Sequence, residues 1–170
     1  MITHFRRAQL LVLLSTLPEA QTIDRIGYLE FFAANPHLVV RGGQDSVRLE
    51  LAGFNPDALN YQSAPERYAN RRSRLRSDLA ALTAWGYALP LVVDGRIACF
   101  ITPLGLEKAD GLTSMYADAY RNSIRMIRHL FGLSETALAK RAREWLNIND
   151  IRFDLLDIAP SESFVIEPTN

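Results

Sequence analysis

Residues 70–104 read NRRSRLRSDLAALTAWGYALPLVVDGRIACFITPL, and this stretch predicts a helix followed by a tight β-hairpin. Two short apolar runs flank Asp94-Gly95, a dipeptide suited to a two-residue type I′ turn. The second strand ends at Thr102-Pro103, where a threonine cap followed by proline favours the start of another helix. The helix before the hairpin ends at Gly86, and its apolar residues recur at helical spacing, at Leu75, Leu79, Leu82 and Trp85.

A helix that leads directly into a hairpin is typical of the third helix and the wing of a winged-helix domain. The sequence therefore predicts an α+β, mainly helical fold. We assign residues 1–104 to a winged-helix domain with a long insertion at residues 38–68, before the third helix. Residues 105–148 are expected to form a helical extension of the same domain, and residues 149–170 an acidic and apolar tail.

Composition limits the partners and the location of the protein. With 170 residues and 48% hydrophobic content, the chain is large enough to bury one sizeable core. Its 19 basic and 19 acidic residues cancel, so net charge gives no general attraction to nucleic acid or to an anionic membrane. No apolar run approaches the ~18 residues that a membrane span needs. The single cysteine, Cys99, fits a reducing compartment, and we expect the protein in the cytoplasm.

The segments before the quoted stretch predict two helices and a glycine-centred element. The basic and apolar N-terminus has the outline of a signal peptide, but it lacks a small-x-small cleavage site. We interpret residues 5–17 as the first helix and residues 22–34, which Pro36 ends, as the second. Residues 38–51 alternate around Gly42-Gly43 and predict a hairpin, or a strand with a long glycine loop.

After the hairpin, one long helix is predicted over residues 103–130, bent near Gly111. A long helix in this place commonly forms dimers or docks on a partner, and Tyr116 and Tyr120 lie on its apolar stripe. Ser134 caps a last helix that continues to about residue 146. The tail mixes acidic and apolar residues, which suits either a last strand or a segment that orders on a partner.

Residues suited to catalysis or metal binding are few. His4, His37 and His129 are far apart in the sequence, no HExxH spacing occurs, and one cysteine cannot anchor a zinc site. No serine lies in a GxSxG turn that would present a nucleophile. Carboxylates spaced like Glu107 and Asp110 are typical of a solvated helix face. We therefore expect no catalytic residues, no metal and no cofactor.

The arginine cluster of the helix before the hairpin comprises Arg67, Arg71, Arg72, Arg74 and Arg76. On a helical projection, the face opposite the apolar stripe carries small residues, namely Ser73, Ser77, Ala80 and Ala84. A helix that reads bases presents Arg, Asn or Gln at its outermost positions. Small residues instead let another protein approach closely, and flanking arginines can pair with carboxylates or phosphates.

Three interpretations of this helix stay open. The one we favour is a partner-docking face, with Tyr116 and Tyr120 of the long helix as further candidates. The second is an ordinary exposed helix whose arginines form structural salt bridges. The third is contact between the arginines and DNA, which would be weak, indifferent to sequence and reduced by salt.

Five motifs in order carry a resemblance to a known family: RRAQLLVLL at 6–14, IDRIGYLEFFAANP at 23–36, PER at 65–67, WGY at 85–87 and ITPLGLEKADGLTSMYADAY at 101–120. Over residues 6–145 the chain resembles the small middle component of ABC-ATPase three-component anti-phage systems, of which Lamassu is the named example. The resemblance implies a non-enzymatic adaptor beside an SMC- or Rad50-like ATPase and an effector such as a nuclease. The matching positions are Pro65, Arg67, Arg72, Arg74, Thr102 and Gly105. The alternative from a different class is a dimeric winged-helix transcriptional regulator.

The first prediction concerns chemistry. Because the sequence shows no nucleophile, metal set or paired acid and base, we expect the isolated protein to have no nuclease, ATPase or hydrolase activity. Incubation of purified protein with ATP and Mg²⁺, and with plasmid DNA, measures this. Turnover that is lost on a point substitution in this chain would contradict the prediction.

Overall fold

A computed structural model describes residues 2–40, 42–54, 64–132 and 134–146. These residues form a mainly helical structure with one three-stranded antiparallel sheet, and the predicted α+β, mainly helical class is confirmed. The helices are α1 (Ile2–Ser15), α2 (Ile23–Ala34), α3 (Gly43–Leu51), α4 (Ala64–Ala84), α5 (Pro103–Asp110), α6 (Met115–Phe131) and α7 (Glu135–Leu146), with a 3-10 turn at Pro36–Leu38. The strands are β1 (Gln21–Thr22), β2 (Ala88–Val93) and β3 (Arg96–Ile101).

The central part of helix α1, residues 10–14, is apolar on every side and buried. Each residue from Leu10 to Leu14 is at most 6% exposed. The helix contacts α2, α4, α5, α6 and strand β3. A helix that is hydrophobic all round is stable when other elements surround it in this way. Among the described residues, no helix combines the length and the apolar character needed to cross a bilayer.

The hairpin has the predicted turn. Asp94 and Gly95 have φ values of 51° and 73°, and a type I′ turn requires positive φ at both positions. Strands β2 and β3 pair from Ala88 opposite Ile101 down to the turn. The short strand β1 adds to the other side of β3, so the order is β1-β3-β2 and β2 is an edge of the sheet.

The junction between the hairpin and α5 depends on close backbone contact. The Thr102 hydroxyl accepts a hydrogen bond from the Gly105 N–H at 3.0 Å, which confirms the predicted cap. The Thr102 N–H donates to the Tyr87 carbonyl at 3.0 Å. A Cβ atom at position 105 would lie 2.1 Å from that carbonyl oxygen, so only glycine lets α5 begin directly against the base of the hairpin.

The prediction of a hairpin or strand at residues 38–51 is wrong. The residues from Leu38 to Val40 are all buried, which does not suit an alternating strand, and Gly42, with φ 69°, then turns the chain into α3. Ion pairing of Asp45 with Arg48, at 3.3 Å, supports the helix locally. The glycine pair therefore separates the buried segment that ends at Val40 from the short helix α3.

The long helix predicted over residues 103–130 is two helices. Helix α5 ends at Asp110, and the Ser114 hydroxyl caps α6 by accepting from the Ala117 N–H at 3.2 Å. The Arg121 guanidinium bridges the break, donating to carbonyls on both sides of Gly111 at 2.6 Å and 2.9 Å. A local cap therefore overrides the continuous helical pattern.

The other predicted elements are close to their expected positions. The first two helices and the last helix are present, and the Ser134 hydroxyl caps α7 by accepting from the Ala137 N–H at 3.2 Å. Helix α4 begins at Ala64, earlier than the quoted stretch suggested. The tail predicted at residues 149–170 and most of the connection before α4 lie outside the described residues.

The second prediction tests the junction. Gly105→Ala should lower the free energy of unfolding by about 2 kcal/mol, because the added methyl group meets a backbone carbonyl that cannot move without disturbing the hairpin. Gly111→Ala is the matched control, since its added methyl group would have only ordinary contacts, with the nearest atom 3.5 Å away. Urea denaturation measures both. Equal stability of the two variants would contradict the close approach.

Candidate protein-docking surfaces

Helix α4 has one buried and one exposed face, as its spacing predicted. Leu75, Leu79 and Leu82 are at most 3% exposed and face the core. On the opposite side all four small residues are exposed, and we call this set the small face of α4: Ser73, Ser77, Ala80 and Ala84. The predicted placement is confirmed, and the docking role remains a prediction.

The arginine cluster divides into inward and outward members. Arg71 and Arg72 turn inward, and each forms an ion pair with a carboxylate of α2. Arg67 is half-buried and also takes part in an interaction within the protein. Arg74 and Arg76 are exposed, and neither forms an ion pair with another described residue. Two of the five arginines are therefore open to a partner from outside.

A buried carboxylate on α2 joins three helices. The Glu30 side chain is 1% exposed, and its Oε1 accepts from Arg6 Nε at 3.1 Å and from Arg71 Nη1 at 3.0 Å. Arg6 also donates to the Arg71 carbonyl and lies 3.5 Å from Asp78 of α4. Asp78 in turn holds Arg7 at 3.0 Å. Three guanidinium groups thus share two carboxylates, and this network, the Glu30 network, has a surplus of one positive charge.

A second chain of ion pairs ties the hairpin to the helices. Asp24 pairs with Arg72 and, at 2.6 Å, with Arg96 of β3. Arg96 also lies 2.6 Å from Glu135 of α7, whose other oxygen accepts from the Thr22 hydroxyl at 2.6 Å. Burial by itself raises the pKa of Glu135, but the hydrogen bonds from Arg96 and Thr22 outweigh it and the pKa lies below its usual value. Arg96, the hairpin's one basic residue, is therefore already paired with two carboxylates of the same chain.

The hairpin exposes large apolar side chains that the sequence analysis did not single out. One face carries Leu89, Leu91 and Val93, which are 50%, 36% and 39% exposed, and we call these three residues the hairpin face. Near the turn, Val92 and Ile97 are also exposed. The available signal was that β2 is apolar at successive positions, whereas a strand with one side in water alternates. A contiguous exposed apolar patch is a candidate contact site for another protein.

Pro90 alters the open edge of strand β2. The Thr102 N–H donates to the Tyr87 carbonyl, so residues at alternate positions along β2, Leu89 and Leu91, also form hydrogen-bonded pairs with β3. Pro90 lies between them, where a backbone N–H would point away from β3. Proline has no N–H, so the centre of the edge lacks a donor for an incoming strand. Contact through the side chains of the hairpin face is therefore favoured over strand addition.

The two predicted tyrosines are placed differently. Tyr116 is 40% exposed, and its ring packs 5.0 Å from that of Phe5. Tyr120 is fully buried, and its hydroxyl lies 3.5 Å from the Glu30 carbonyl. Tyr120 therefore presents no surface to a partner, contrary to its assignment as a partner-binding residue. The reason is that Tyr116 lies in the first turn of α6, at the rim of the core, and Tyr120 lies one turn further in.

Few of the described side chains are suited to catalysis or to metal binding. Cys99 is buried in β3, and burial raises the pKa of its thiol, which keeps it protonated and unreactive. His37 lies in the 3-10 turn, with Nε2 3.1 Å from the Phe54 carbonyl oxygen. Within the described ranges, no three His, Cys, Asp or Glu side chains form a group that could hold a metal ion.

The third prediction concerns the Glu30 network. Glu30→Gln should lower the free energy of unfolding by about 3 kcal/mol, because the amide removes the buried charge that faces the guanidinium groups of buried Arg6 and partly exposed Arg71. Asp118→Asn is the control, since Asp118 forms an exposed pair with Arg121 and its loss should cost under about 0.5 kcal/mol. Thermal and urea unfolding measure both. A small, equal effect at the two positions would contradict the structural role of Glu30.

Comparison with known proteins returns no match. No protein-family model fits the chain, and neither a curated protein nor a solved structure is similar to it.

Proposed function

We propose that the protein is a non-enzymatic winged-helix adaptor of an anti-phage defence complex in the cytoplasm. It docks on an SMC- or Rad50-like ABC ATPase and links that ATPase to an effector such as a nuclease, or restrains the effector. The order α1, β1, α2, α3, α4, β2, β3, with α3 in the predicted insertion and β1 and β2 on either side of β3, supports the winged-helix assignment. Helix α4 is then the third helix, the hairpin is the wing, and α5 to α7 form the helical extension.

The observation that carries the proposal is the exposed apolar face of the hairpin. A wing that contacts DNA uses basic residues on phosphates. Here Leu89, Leu91 and Val93 occupy the exposed positions, and Arg96 is held by two carboxylates. Burial of apolar side chains is the main favourable term in protein association. This hairpin is therefore better suited to a protein partner than to nucleic acid.

Trp85, directly after α4, is a further exposed apolar residue suited to a protein partner. It follows the small face of α4 directly, is 43% exposed, and has the Arg7 guanidinium 5.1 Å over its ring. Tryptophan at the centre of an interface commonly contributes much of the binding energy. We therefore propose one docking footprint that includes the small face of α4, Trp85 and the hairpin face. Tyr116 lies on a different helix and belongs to a separate contact.

A DNA-binding regulator is the second candidate. The exposure of Arg74 and Arg76 favours it, since both could reach phosphates. The small residues at the outermost positions of α4 supply no bidentate contact to bases. DNA binding by this protein would therefore be weak and indifferent to sequence, with each lost phosphate contact lowering the salt dependence of log K by about one unit.

The fourth prediction tests the docking footprint. Ala80→Arg should leave the fold intact, because position 80 is exposed. It should abolish co-purification with the ATPase, since a charged side chain in a close-packed interface is either buried unpaired or holds the surfaces apart, an effect on the order of a thousandfold in affinity. The measurements are thermal unfolding and mass spectrometry of the tagged protein isolated from its own cells.

Two further variants make this test specific. Gln44→Arg places the same charge on an exposed position of α3 and should retain the ATPase. Leu89→Glu changes the hairpin face and should lose it. Unchanged co-purification of Ala80→Arg and Leu89→Glu would refute the footprint. Tight binding to a palindromic DNA site at physiological salt would favour the regulator instead.

A further inference from the structure

Two neighbouring depressions lie on either side of Phe5 and Gln9 of α1, and together we call them the α1 groove. The larger, of about 310 Å³, is basic and is lined by Arg6, Arg71 and Arg74. The smaller, of about 170 Å³, is mainly apolar. Phe5 and Gln9 line both, so the two depressions are adjacent. This groove lies apart from the hairpin and is not used by the docking footprint proposed above.

The basic depression has a positive charge that no described carboxylate neutralises. Arg6 and Arg71 line it, and they belong to the Glu30 network, which has one more guanidinium than carboxylates. Arg74 is exposed at its wall and forms no ion pair with a described residue, which adds a second positive charge. Asn70 supplies a neutral polar group beside it. The depression is therefore suited to carboxylates presented from outside.

The apolar depression provides a hydrophobic contact next to this charge. Val12, Leu112 and Tyr116 lie along it, and Phe5, which is 51% exposed, separates it from the basic side. Gln9 donates a hydrogen bond to the Tyr116 hydroxyl and so fixes the wall between the two depressions. A ligand that fits the whole groove must therefore carry both acidic and apolar side chains.

The chain itself contains a segment with this composition. The whole sequence has no net charge, but residues 1–146 contain 18 basic and 14 acidic residues, whereas residues 147–170 contain five acidic residues and one basic residue. The charges of the two parts, +4 and −4, are equal and opposite. Apolar residues alternate with the acids in the sequence IRFDLLDIA at 151–159. These 24 residues, which include the tail predicted at 149–170, lie outside the described structure, beyond α7.

We propose that residues 147–170 dock in the α1 groove of the same chain, with acidic side chains facing Arg71 and Arg74 and apolar side chains in the neighbouring depression. The hairpin face is a poorer receptor, because it is apolar but its only base, Arg96, is already paired with two carboxylates. The small face of α4 has neither charge nor large apolar groups. Of the surfaces described above, only the α1 groove combines unpaired positive charge with an apolar lining.

The fifth prediction uses the full-length protein with a photo-crosslinking benzoylphenylalanine in place of Phe153. Crosslinks are expected to residues 5–12, 70–74 or 112–117 of the same chain, as identified by peptide mass spectrometry. Arg74→Glu should lower their yield about fivefold, since attraction between opposite charges at a surface becomes repulsion. Arg125→Glu is the matched control, because Arg125 is an exposed arginine of α6 that does not line the groove.

A charge exchange completes the experiment. Adding Asp154→Arg and Asp157→Arg to the Arg74→Glu protein should restore the yield, which simple misfolding of Arg74→Glu would not allow. A mixture of isotope-labelled and unlabelled protein distinguishes contacts within one chain from contacts between copies. Crosslinks only between copies, crosslinks confined to the hairpin, or a yield unchanged by Arg74→Glu would each overturn the proposal. These outcomes do not involve the ATPase, so they are independent of the adaptor role.

Discussion

The Glu30 carboxylate lies where α1, α2 and α4 meet, and the arrangement of these helices depends on it. It is almost completely buried and holds the guanidinium groups of Arg6 and Arg71, which come from the other two helices. A buried charge is tolerated only when its partners are fixed in good geometry, so the two arginines have little freedom. The angle between α1 and α4 is thereby constrained. Since α4 leads directly into the hairpin, the positions of the small face of α4 and of the hairpin face relative to α1 depend in part on this ionic contact.

The elements that could be predicted from the sequence are those decided by neighbouring residues. The turn at Asp94-Gly95 needs two residues that tolerate positive φ, and the cap at Thr102 needs a hydroxyl three residues before an N–H. The interruption of the helix after Asp110 was also local, since it uses Ser114, but the continuous apolar stripe concealed it. The bond from Arg121 that bridges this break has no sequence signature.

Some features of the candidate surfaces could be predicted from the sequence and others could not, for a physical reason. The small face of α4 followed from helical geometry, because one buried stripe fixes the opposite face. Which arginines turn inward did not follow from helical geometry, since Arg71 pairs with a carboxylate 41 residues earlier in the chain, at Glu30. Tyr120 lies on the same stripe as Tyr116 and differs only in how much of α1 and α2 covers it. A strand that is apolar at successive positions is typical of one covered on both faces, but no element among the described residues covers the hairpin face.

The proline in the centre of β2 affects how the protein can assemble. A bare sheet edge with apolar side chains is the usual starting point of fibrils, because each added strand creates a new edge for the next. Pro90 removes one of the outward-facing donors that such growth uses, while the side chains beside it stay free to contact another protein. The hairpin can therefore expose apolar side chains and still be a poor template for fibril growth.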